Sequence, residues 1–142
     1  MQKYTLAFIF NSILDKVLLM HKSRPASLAG KVNGLGGKLE GDEDLYECIM
    51  REVKEESDLD TKKDKWIYVG EKYAPNWHVA TFCYVYEGDM SDAKSMEDQP
   101  VEWFDVRNLP ENVMSNLTWI IPLCLDKIRN PDLGESRVTY KQ

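Results

Sequence analysis

The chain has 142 residues, enough for one compact domain and no second. Its 43% hydrophobic and 30% charged residues give the balance of a globular protein, neither disordered nor membrane-embedded, and its longest apolar runs, such as residues 119–125, are too short to cross a bilayer. A formal net charge of −6 argues against a general nucleic-acid binder, which needs a basic surface, but it leaves room for a small anionic ligand if the acid has a local purpose.

Residues 4–10 and 17–20 are short β-rich apolar runs, and residues 11–16, with their Asn and Asp, read as the turn between them. Residues 23–31 make a polar loop. The stretch Asn33-Gly-Leu-Gly-Gly-Lys-Leu-Glu-Gly-Asp is too glycine-rich for a helix or a central strand. A helix then follows to about Ser57. Asp44 is its expected N-cap, with Glu47 completing a capping box, and Asp58 is expected in a left-handed conformation at its exit. Residues 66–73, 78–86 and 101–106 are strand candidates, the last taken as the final core strand. Residues 116–129 predict a second helix carrying Trp119, Ile120, Leu123 and Ile128, with Pro122 expected near its first turn. The order β-β-helix-β-β-β-helix suggests a mixed α/β sandwich.

Cys48, Cys83 and Cys124 show no CxxC spacing, which predicts free thiols rather than a disulfide framework or zinc site. The N-terminus lacks the small-residue cleavage site of a signal peptide, and a reducing cytoplasm is the expected location.

A helical wheel at roughly 100° per residue puts Leu45, Ile49 and Val53 on the core-facing stripe. Glu52 and Glu56 share that sector, Glu55 lies at its edge, and Glu47, Arg51 and Lys54 fall on the other side. Three carboxylates beside an apolar stripe repel one another and resist burial. They are either a solvated edge or a site for a hard cation, and oxygen ligands without a His or Cys cluster select Mg²⁺ or Mn²⁺. A glycine loop leading straight into this helix strengthens the cation reading, because its backbone can approach a ligand closely.

Gly37, five residues, Glu43, seven residues, then Arg51-Glu52-Val53-Lys54-Glu55-Glu56-Ser57-Asp58-Leu59 resembles the Nudix box over residues 37–59. One position departs from that pattern: Asp58 stands where the family usually has Gly. Tyr4-Thr-Leu, Val17-Leu-Leu, Asn33-Gly-Leu-Gly-Gly-Lys and Trp119-Ile-Ile-Pro-Leu further resemble the MutT-like, oxidised-purine nucleoside triphosphate pyrophosphohydrolases. Glu97-Asp-Gln-Pro-Val-Glu-Trp103 looks like their segment that supplies a glutamate outside the box.

The resemblance implies a single Nudix domain over residues 1–142, an α/β/α sandwich with a mixed central β-sheet, acting as a monomer or homodimer. It implies Mg²⁺, or Mn²⁺ in its place, bound by Glu52, Glu55, Glu56 and Glu97 with the Gly36 carbonyl. Glu52 is the implied general base and Glu97 the next candidate. Arg51 is implied to pair with Glu43 or another box glutamate and orient the helix. The implied reaction releases pyrophosphate from a purine nucleoside triphosphate, an oxidised one such as 8-oxo-dGTP included. ADP-ribose or another nucleoside diphosphate derivative is the competing substrate, and a non-catalytic binding module the competing class. Gly37, Lys22 and Lys38 are candidates for phosphate contact, Lys22 equally a solvated strand end. Asn33 matches a base-reading position or is a turn former, and Asn116 is a base contact or a helix N-cap. Phe82, Trp77 and Trp103 either stack on the base or belong to the core. His21 and His78 have no catalytic partner at a recognisable spacing.

Overall fold

The computed structural model describes residues 2–141. Seven strands form one sheet: β1 (Gln2–Asn11), β2 (Lys16–His21), β3 (Val32–Asn33), β4 (Ile67–Ala74), β5 (Trp77–Tyr86), β6 (Val101–Asp105) and β7 (Ser136–Thr139). Two helices, α1 (Leu45–Ser57) and α2 (Leu117–Arg129), pack on it. The strand order is β3-β2-β1-β5-β4-β7, with β6 also paired to β2. β1 runs parallel to β5 and β4 parallel to β7, while the other pairings are antiparallel, so the sheet is mixed as expected.

β1 lies in the middle and reads as a continuous apolar run because both of its faces are covered. Leu6, Phe8 and Phe10 point to α2, where they meet Ile120, Ile121 and Cys124. Ala7 and Ile9 point to α1, where they meet Ile49, Val53 and Phe82. This gives the α/β/α layering. No helix is long and apolar enough to cross a membrane among the described residues. All three cysteines are free and buried.

The ends of α1 follow their local chemistry. Asp44 accepts the Glu47 N–H at 2.8 Å while the Glu47 carboxylate accepts the Asp44 N–H at 2.9 Å, the reciprocal capping box. Asp58 exits at φ 63°, and its N–H returns to the Lys54 carbonyl.

Two expectations need correction. Pro122 lies inside α2, beyond its first turn, because the helix starts at Leu117. Thr118, whose carbonyl loses its i+4 donor there, is exposed like Pro122, so water can reach the orphan group. The expected element order also lacks a strand: β7 adds an edge after α2, and with Val138 its single aliphatic residue it carries little strand signal. Within β4 the alternation is interrupted. Tyr68 opposes Phe82 and Gly70 opposes Thr81, a bulge that pushes the following residues one step in register. Gly70 (φ 154°) permits it, since a Cβ there would sit 1.9 Å from the Ser136 carbonyl oxygen of β7.

Candidate active site

Arg51 is the hub of the acidic side. Its Nη2 and Nε donate to Glu43 at 2.7 and 3.0 Å, a two-point fork, and its Nη1 donates to Glu52 at 2.9 Å and Glu55 at 3.2 Å. Its Nη2 also reaches the Lys38 carbonyl at 3.2 Å. The wheel placed Arg51 away from the acids. Its long stem instead curls back over the helix edge, where four carboxylate and carbonyl partners outweigh full hydration. The pairing with Glu43 implied by the resemblance is what the structure has. The Arg51 guanidinium holds the Glu43 carboxyl down at about 2, helped by the Glu40 N–H. Arg51 itself is raised well above its ordinary value by the same bonds.

Glu56 is different. It is buried, and its Oε1 accepts the Gly36 N–H at 2.9 Å. Burial pushes its pKa up to about 8, against the pull of that N–H, and the charges of Glu52 and Glu97 add to the rise while Lys22 opposes it. Glu52 is also raised, by burial first, with Arg51 opposing. Glu97 reaches this neighbourhood because its exposed loop is stitched to the end of α1: the Lys94 N–H donates to the Ser57 carbonyl at 2.9 Å. The buried Gln99 ties the same loop to residues 23 and 24, its Oε1 accepting both backbone N–H groups at 2.9 and 3.2 Å.

The glycine loop meets α1 at Gly37, where a Cβ would come within 2.5 Å of the Glu52 carboxylate. The Gly37 carbonyl accepts the Thr5 N–H at 2.8 Å. The Gly36 carbonyl accepts no hydrogen bond among the described residues. Also among the described residues, no three His, Cys, Asp or Glu side chains are gathered tightly enough to cage a metal ion. Glu52 and Glu55 both turn to Arg51, which neutralises them, and Glu56 turns inward to Gly36. The donor set nevertheless fits a hard divalent cation: carboxylates on successive turns of one helix, a free carbonyl, and a buried acid whose charge lacks a full counter-charge.

On the opposite face of the sheet lies a cleft of about 560 Å³, within the range of small-molecule sites. Lys22, Asn33, Gly36, Gly37 and Asn116 line it, so five of the substrate-contact and metal candidates stand together. Asn33 Oδ1 accepts the Gly34 N–H at 2.8 Å, the turn-forming role, while its Nδ2 makes no hydrogen bond among the described residues. Asn116 stands at the cap position of α2 but does not cap it, and its Oδ1 is buried without a partner. Lys38 is absent from the lining.

Phe82 is corrected. It is fully buried on the α1 side, edge-on to Tyr46, Trp66 and Tyr68, and no ligand base can reach it. Trp103 likewise packs on that side and donates from Nε1 to the Met90 carbonyl at 2.9 Å. Trp77 is the aromatic that lines the cleft, beside Tyr140 at 5.9 Å between ring centroids. His21 pairs with Glu102 at 2.8 Å, and His78 stacks on Tyr73; neither lines the cleft. The sequence reading missed Lys72, Tyr4, Met114 and Tyr140 in the lining. Only their assembly from separate elements marks them.

The sequence profile of the NUDIX domain family matches residues 2–121. The chain belongs to that family. An oxidized purine nucleoside triphosphate hydrolase from Danio rerio is 34% identical over 122 residues, covering 80% of this chain and 74% of that protein. The crystal structure of a MutT protein from Bacillus halodurans superposes with a TM-score of 0.68 at 23% identity, over 99% of this chain and 90% of that one. A bifunctional NMN adenylyltransferase/ADP ribose pyrophosphatase from Francisella tularensis, in complex with AMP and a Mn ion, superposes with a TM-score of 0.69 at 18% identity, over 89% of this chain and 41% of that one. These two structures share the fold. The Arg51–Glu43–Glu52–Glu55 network and the inward Glu56 lie within the residues that match the family.

Proposed function

We propose that this Nudix hydrolase uses Mg²⁺, or Mn²⁺ in its place, to hydrolyse a purine nucleoside triphosphate to the monophosphate and pyrophosphate, with oxidised purines such as 8-oxo-dGTP among its substrates. One observation carries the reading: Gly36 belongs to both halves. Its N–H holds the buried Glu56, and the same residue lines the cleft in which Asn33 and Asn116 stand. A base seated in the cleft thus has its phosphates directed towards the acids of α1.

Glu52, Glu55, Glu56, Glu97 and the Gly36 carbonyl would hold the divalent cation, which would supply charge to polarise phosphate oxygens and to lower the pKa of a water. Glu52, mostly buried and raised in proton affinity, takes the proton of the attacking water, with Glu97 the next in reach. Arg51 and Glu43 keep Glu52 oriented and do not touch the substrate. Gly37, Lys22 and Lys38 contact the phosphates. Asn33 offers a donor and Asn116 an acceptor to the base. The three free thiols suit a reducing cytoplasm.

The relationship in fold to an ADP ribose pyrophosphatase supports a second reading, a nucleoside diphosphate derivative as substrate, which would use the same acids. A binding module without catalysis is disfavoured because Glu43, Glu52, Glu55 and Glu56 are all present. Titration with Mg²⁺ tests the metal part. At a hundredfold excess over its dissociation constant the ion should add about 2.7 kcal/mol of stability and switch on pyrophosphate release. If millimolar Mg²⁺ leaves both melting temperature and activity unchanged, the acidic face is a solvated face and the reading is lost.

A further inference from the structure

Lysine is among the residues least often buried without a partner, since an ammonium out of water needs acceptors around it. Lys72 on β4 is a mostly buried lysine whose Nζ keeps contact with solvent through the cleft. It is 7% exposed and makes no hydrogen bond or ion pair among the described residues. Its strand neighbours are Val79 on β5 and Val138 on β7, and the Cys124 thiol of α2 is the titratable group that acts on it. Burial pushes its pKa down to about 8. The β4 bulge is what puts it there. Lys72 opposes Val79 on the α2 side, whereas an uninterrupted alternation from Tyr68 would have turned it to the α1 side. A glycine with φ 154° and an adjoining edge strand thus deliver a lysine into the lining of the cleft.

Asn116 lines the same cleft, and its Oδ1 is buried without a donor among the described residues. The two groups make opposite demands. An ammonium only donates, and an amide oxygen only accepts. A ligand that answers both carries an oxo group and a ring N–H, the lactam edge of guanine or hypoxanthine. Adenine seated in the same pose sets its amino donor against the ammonium and its N1 lone pair against the amide oxygen, so both contacts are lost.

We propose that Lys72 is a specificity residue that donates to an oxo group of the base while Asn116 accepts from a ring N–H, so that the cleft selects lactam bases over amino bases. This rests on the reading that the cleft takes the base. It adds to it a residue and a direction of selectivity that the Nudix box does not contain.

The test uses nucleoside monophosphates in EDTA, so that binding is read without metal or turnover. Calorimetry gives the dissociation constants of dGMP, dAMP and the 2,6-diaminopurine deoxynucleotide, in which an amino group replaces the guanine oxo group. Wild type, Lys72→Met and Trp77→Ala are compared. Wild type should bind dGMP at least about tenfold tighter than the other two, and Lys72→Met should shrink that ratio about tenfold, the size of one hydrogen bond to a charged group. The ligand exchange on wild type keeps the test valid even if the Met variant does not fold.

Equal affinity of wild type for dGMP and the diaminopurine nucleotide overturns the proposal, as does an equal loss on all three nucleotides in Lys72→Met. If Trp77→Ala weakens all three while Lys72→Met keeps the ratio, the base lies in the cleft and Lys72 does not read it. If neither variant changes any affinity, the base lies elsewhere and both readings fall.

Discussion

On the α1 side of the sheet the charges answer one another: Arg51 reaches Glu43, Glu52 and Glu55, and Glu56 has the Gly36 N–H. On the α2 side two polar groups of the cleft stay unanswered among the described residues, the Lys72 ammonium and Asn116 Oδ1. The two halves bear different loads. A set of acids on one helix repels itself, and without an internal cation such as Arg51 it would weaken the helix that carries it. A recognition cleft gains discrimination by leaving groups unsatisfied until the correct ligand completes them. The proposed function puts stability in the charge network and selectivity in the cleft, so substitutions in each should fail in different ways.

The largest effect is expected at Glu56. Glu56→Gln should lower pyrophosphate release about a hundredfold or more, yet leave the metal-free melting temperature unchanged or raised. It replaces a buried acid whose pKa burial has pushed up to about 8 with a neutral amide of the same shape. Activity near wild type at saturating Mg²⁺ would remove Glu56 from the metal set.

Arg51→Ala should reverse that pattern, with stability falling as well as activity. Breaking a mostly buried pair costs about 3 kcal/mol, or roughly 10 °C of melting temperature in a domain of this size. Arg51→Lys should recover less than half of the loss, because a single ammonium cannot replace the fork on Glu43. A thermal melt unmoved by Arg51→Ala would show that the network carries no stability, and the comparison would collapse.

A smaller effect belongs to the cleft. Asn33→Ala should reduce kcat/KM for a purine triphosphate about tenfold, with little loss on a substrate held only through its phosphates, and with a melting temperature close to wild type. An equal loss on every nucleotide would mean that Asn33 acts through its bond to the Gly34 N–H, as a turn former.

The smallest effect is on pH dependence. The Glu43 carboxyl is held at about 2 in the folded state against 4.5 as its ordinary value, so the folded state binds fewer protons between them. Its contribution is complete above pH 4.5 and is lost as pH falls towards 2. Melting temperatures of wild type should therefore drop more steeply across that window than those of Glu43→Gln. Parallel curves would show that Arg51 does not hold this group.

The same contrast explains how much could be read from the sequence. The capping box, the left-handed Asp58 and the acidic stripe lie within one helix and its ends, where spacing alone decides which groups meet. The cleft draws on β1, β4, β5, the loop at residues 25–28, the entry to α2 and the chain after β7, so no local spacing describes it. Within it only Asn33, Asn116, Lys22, Trp77 and the loop glycines had a local signal. Lys72 was hidden by the β4 bulge, which moves a lysine from one face to the other without altering composition or period on either side. Phe82 misled because an aromatic on a central strand serves a core and a ligand wall equally well until its face is known, and its face is that of α1. Arg51 misled the wheel because a long side chain ends far from the direction of its Cβ.

The central claim is that acids on one face and a base-reading cleft on the other act on one nucleotide. The most direct test is hydrolysis by the wild-type enzyme of dGTP, 8-oxo-dGTP, dATP, dCTP and ADP-ribose, each with Mg²⁺ and with EDTA, with products separated by chromatography. Mg²⁺-dependent release of pyrophosphate and monophosphate should be fastest with a purine triphosphate. ADP-ribose cleaved faster than every triphosphate by a wide margin, or no pyrophosphate from any of them, would contradict it.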